Sequence, residues 1–89
     1  MTVQEFRQVL RDLMKEREET DNDGHYISVL ADVCLSCISG NRNFVAKRIN
    51  TIKVRNMKLW NLEVITDIDE FRKHCAPIME IEKIFQNVE

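Results

Sequence analysis

The segment from Tyr26 to Ile38 constrains the fold more than any other part of the chain, because apolar residues occupy every side of it and only Ser28, Asp32 and Ser36 interrupt them. A helix that is apolar all round has to be covered on most of its faces, so the remaining helices are expected to pack about this one. Gly40 stands where a glycine closes such a helix. The run is too short to span a bilayer and contains an aspartate, which points away from a membrane segment.

The chain has 89 residues, enough for one domain over 1–89 with one shared core. A chain of that length buries only roughly 60–65% of its unfolded surface, a thin margin that favours a partner subunit. Two glycines and one proline suit helices better than a turn-rich β protein. The expected fold is all-α, a compact bundle of four or five short helices around the buried central one.

Local signals place the other helices. Thr2 followed by Glu5 has the spacing of a capping box, and Val3, Phe6, Val9, Leu10, Leu13 and Met14 recur at helical intervals, which predicts a helix over about 3–18. Thr20 to Gly24 reads as a polar loop. Between Asn43 and Trp60 the apolar residues Val45, Ile49, Ile52, Leu59 and Trp60 fall on one side of a helical projection, with a break allowed near Asn50 and Thr51. Trp60, Leu62 and Val64 alternate with Asn61 and Glu63, so the alternative is an α+β fold with a short hairpin near residues 51–65. Thr66 or Asp67 can cap a further helix, and Pro77 is expected to interrupt it and begin a last one. Val9, Leu13, Val33, Ile49, Ile52, Phe71, Ile81 and Ile84 are the expected core. The stripe Ile78, Ile81, Ile84, Phe85 and Val88 is large for the final helix and is expected to serve association.

Charge is segregated along the chain. Residues 41–62 hold Arg42, Lys47, Arg48, Lys53, Arg55 and Lys58 and no acid, whereas residues 1–40 carry eight acids against four bases and residues 63–89 seven against three. Lys47, Arg48, Arg55 and Lys58 lie within about 100° on the projection, forming one basic face. Such a face can neutralise phosphates, but the net charge of −2 gives little steering toward a polyanion. The preferred counterpart is protein carboxylate, with Glu63, Asp67 and Glu70 as the acidic counter-face within the fold or in a second subunit. Over some sixteen residues the segment from Val45 also resembles a helix-turn-helix unit, with Val45 to Asn50 as its first helix and turn and Met57 and Trp60 as core positions of its second helix. The match requires a one-residue insertion and has Thr51 where an apolar residue is usual. That resemblance implies Lys53, Arg55, Asn56 and Lys58 on a groove-facing helix.

No arrangement for catalysis is legible. Cys34 and Cys37 have C-x-x-C spacing and His74-Cys75 would complete four ligands, but the cysteines sit in an apolar helix without a turn, so structural thiols and no metal are expected. Three cysteines, an odd number, fit reduced thiols in a cytoplasmic or nuclear compartment. Thr20 to Gly24 fails as a calcium loop because Leu30 falls where the bidentate glutamate is required. His25 at a helix start and His74 beside Cys75 read as surface or half-buried histidines. The expected function is a non-enzymatic binding or regulatory protein acting through protein contacts, as a homodimer or as an adaptor or inhibitor of a larger partner, without cofactor, small-molecule substrate or membrane. Nucleic-acid binding through the basic helix 42–60 is the alternative.

Overall fold

A computed structural model describes residues 1–21 and 23–89; Asn22, in the middle of the polar loop and of the rejected calcium motif, lies outside the described residues. The described chain forms four α-helices and no strand, an all-α bundle: α1 (Val3–Arg17), α2 (His25–Ser36), α3 (Arg42–Asn61) and α4 (Ile68–Phe85), with one 3-10 turn (Cys37–Ser39) after α2. No helix among the described residues is long and apolar enough to cross a membrane.

Each helix begins for a local reason. Thr2 and Glu5 form the reciprocal capping box of α1, Asn41 accepts from the N–H groups of Asn43 and Phe44 to start α3, and Asp67 accepts from those of Asp69 and Glu70 to start α4. α2 starts differently: Gly24 adopts φ 73° and caps nothing with a side chain, while Asp23 and Asp21 accept the N–H groups of His25 and Ile27. Gly40, at φ 69°, ends the 3-10 turn and lets α3 double back beside α2.

α2 is the central helix, packed against α1, α3 and α4. Phe6, Leu10, Leu30, Val33, Cys37, Val45 and Ile81 are completely buried. Of the core expected from periodicity, Val33, Ile49, Ile52 and Ile81 are buried, while Leu13, Phe71 and Ile84 are half-buried against the cluster and Val9 is half-buried outside it. The covering of α2 is incomplete: Leu35 and Ile38 at its C-terminal end are exposed.

Three expectations are corrected. The hairpin near residues 51–65 does not form, since Thr51 to Asn61 is helical and the chain leaves α3 in a turn. The same continuity removes the helix-turn-helix reading, because Asn50 and Thr51 lie inside one helix that runs on without a turn through Ile52 to Asn61. Pro77 neither ends α4 nor starts a separate arm. It sits within an unbroken helix with its ring buried, and costs only the bond that its missing N–H would have given the carbonyl four residues earlier. Consequently Ile78, Ile81, Phe85 and Val88 are buried and Ile84 half-buried within a single chain; the stripe assigned to association belongs to the core.

Candidate functional site

α3 carries the basic segment, and its inward side decides which cations are left for a partner. Val45, Ile49, Ile52 and Asn56 are buried and recur three or four residues apart, so the opposite side of the helix faces out. Arg48, on one flank, makes a bidentate pair with Asp32 of α2, with Nε–Oδ1 at 2.6 Å and Nη2–Oδ2 at 2.7 Å, and that pairing favours its protonated state. Lys53, on the other flank, lies 2.7 Å from Glu82 of α4. Arg42 donates from Nε to the Val88 carbonyl at 2.9 Å and lies over the Phe85 ring. These three cations fasten α3 to its neighbours.

Lys47, Arg55 and Lys58 remain, exposed and with no carboxylate partner among the described residues. The acidic counter-face does not meet them within the chain. Asp67 is spent on the α4 cap, Glu70 borders a cleft near α2, and Glu63 occupies the turn after α3. The carboxylates that α3 does use, Asp32 and Glu82, come from outside that set. Asn56 is also displaced from the role implied by the helix-turn-helix resemblance: it is 4% exposed, in the inward face, where no base edge can reach it. Its side-chain nitrogen finds no hydrogen-bond partner.

Sequence periodicity missed what lies between the free cations. Phe44, Val54 and Met57 are all exposed, and on the helical projection they interleave with Lys47, Arg55 and Lys58 together with Asn43, Asn50 and Thr51. The Asp32–Arg48 pair ties this helix to α2, where Leu35 is also exposed. The signal was present as apolar residues off the inward stripe, but a mean over the helix conceals them.

A second feature unites residues 49 apart in sequence. His25 and His74 stack with ring centroids 4.1 Å apart and planes inclined by 14°. His25 Nε2 donates to the His74 carbonyl at 2.8 Å. Burial pushes the His74 imidazole below its ordinary pKa of 6.5, His25 adds to the effect and Asp23 opposes it. The pair borders an open cleft of about 370 Å³ shared by Asp21, Asp23, Tyr26, Ile65, Glu70 and Lys73. Asp21 and Asp23 are already engaged by the backbone of α2.

The three cysteines are free and buried. The Cys37 thiol is pushed up to about 11 by burial, with Cys34 beside it, and donates to the Val33 carbonyl. Among the described residues no group of three or more His, Cys, Asp or Glu is placed to hold a metal ion. Comparison of the chain with protein-family models, curated proteins and solved structures finds no match to any of them.

Proposed function

We propose that this chain is a non-enzymatic binding protein that acts through protein contacts, and that the outward face of α3 is the surface it uses. The observation that carries this reading is the mixture on that face: Phe44, Val54 and Met57 exposed among Lys47, Arg55 and Lys58. Large apolar side chains in water gain by burial against another apolar surface, at roughly 25 cal/mol per Å² removed from water. The cations between them then select partners with carboxylates and set the orientation.

Phosphate is a poorer match. Half of the six cations in the basic segment are held by Asp32, Glu82 and the C-terminal turn, so few remain for counterion release, which scales with the number of phosphates neutralised. Apolar groups would also be pressed against a polyanion. In the histidine cleft His25 Nε2 is committed to a carbonyl, whereas general acid–base work needs a group in reach of a substrate proton.

The test is a titration of isotope-labelled protein with a synthetic acidic amphipathic peptide, followed residue by residue in NMR spectra. Saturable shifts confined to Phe44, Lys47, Val54, Met57 and Lys58 are expected. Shifts centred on the histidine cleft, or none on α3, would refute the assignment.

A further inference from the structure

The chain carries the complement of its own α3 face. Beyond α3, the connection to α4 exposes Leu62, Val64 and Ile68 among the exposed acids Glu63, Asp67, Asp69 and Glu70. This is the same combination of large apolar side chains and charges, with the sign reversed. Among the described residues only Asp69 of these acids has a cation within ion-pair distance, Arg72 at 4.0 Å, and none pairs with Glu63 or Glu70. Glu63 also holds a left-handed backbone, φ 57°, at a position where glycine is the usual occupant.

The acidic patch adjoins the outward side of α3 at Glu63. Asn61 lies on the outward side of α3 with Val54 and Lys58, and it borders the same shallow cleft as Glu63. From Lys47 to Asn61 the helix rises about 21 Å, so within one rigid copy Lys47, at the far end of the basic face, cannot meet Glu63. Two copies can. Laid antiparallel across a two-fold axis, each sets its acidic end over the N-terminal half of the other's basic face, and every contact is made twice.

We infer that the chain forms a closed two-fold dimer through α3, with Lys47 and its neighbours on the basic face of one copy meeting Glu63 at the acidic end of the other. The inference rests on the docking reading above and names a second copy as the partner. Both patches are lost to water in such a dimer, which also adds to the modest core that so short a chain can bury.

Sedimentation of the full chain tests it. The wild type is expected at twice the 10.5 kDa chain mass, and Lys47→Glu and Glu63→Lys are each expected at the single-chain mass with unchanged circular dichroism. An equimolar mixture of the two variants, or one chain carrying both changes, should return to the doubled mass, because the contacts again join opposite charges. A dimer that survives either reversal, or a mass that keeps growing with concentration, overturns the proposal. A monomeric wild type whose α3 face still answers the acidic peptide overturns the second copy but keeps the docking face. A monomer without that response removes both.

Discussion

Leu30 and Leu35 are the same residue type one turn and a half apart on α2, yet Leu30 is 0% exposed and Leu35 67%. Leu30→Ala should cost about 2–5 kcal/mol in chemical denaturation, and Leu35→Ala should stay within about 0.5 kcal/mol. Equal losses would mean that Leu35 is covered in the isolated chain. His74 gives a pH prediction. A histidine whose folded pKa is depressed leaves stability unaffected above its unfolded value of 6.5. Below it, unfolded chains take up the proton first and stability falls. The melting temperature of the wild type should therefore drop between about pH 7 and pH 5, and His74→Gln should drop less. The carboxylates held low, Glu5 and Asp23, start to weaken the fold only below their ordinary values of 4.5 and 3.8, outside that window. Residue types and helical spacing identified Val33, Ile49, Ile52 and Ile81 as core. They could not reveal the histidine stack, because nothing local relates positions 25 and 74.

Helix starts were legible and helix continuity was not. Thr2 and Asp67 cap with side chains that act within three residues, a range a sequence reports directly, whereas apolar spacing places the start of α3 near Asn43 and passes over the Asn41 cap. Whether Thr51 or Pro77 breaks a helix depends on tertiary packing, and the buried inward faces of α3 and α4 override both local signals. Removing everything after Ala76 would take Ile78, Ile81, Phe85 and Val88 out of the core, so the truncated chain should lose cooperative thermal unfolding. A truncated chain that still melts cooperatively would return the stripe to the surface. The end of α3 offers a gain of stability instead. Val64 N–H bonds the Leu59 carbonyl at 3.0 Å and Glu63 N–H that of Trp60 at 3.1 Å, the paired bonds of a Schellman motif with Glu63 at its left-handed position. In the Lys47→Glu background, where no second copy engages Glu63, Glu63→Gly should raise stability by about 1 kcal/mol, the cost a side chain pays there. A loss would show that Glu63 makes a compensating contact within the fold.

As a whole the molecule is flat, with extents of 37 × 29 × 18 Å and a radius of gyration of 13.2 Å, against about 12 Å for a compact chain of this length. The short dimension is about two helix diameters, and α3 packs on α2, α4 and the 3-10 turn, while Phe44, Val54 and Met57 on its outward side are exposed. Segregated charge was plain from the sequence. Its division into fastening cations, Arg42, Arg48 and Lys53, and outward ones, Lys47, Arg55 and Lys58, depends on which neighbours the bundle supplies. The outward face is protein-docking if its apolar members cannot be exchanged for phosphate contacts, and fluorescence anisotropy of a labelled random-sequence duplex near physiological salt decides this. A docking face predicts weak binding by the wild type, unchanged in Val54→Ser/Met57→Ser. Tight duplex binding that is abolished in Lys47→Glu/Lys58→Glu would contradict it and make the face a phosphate-binding one.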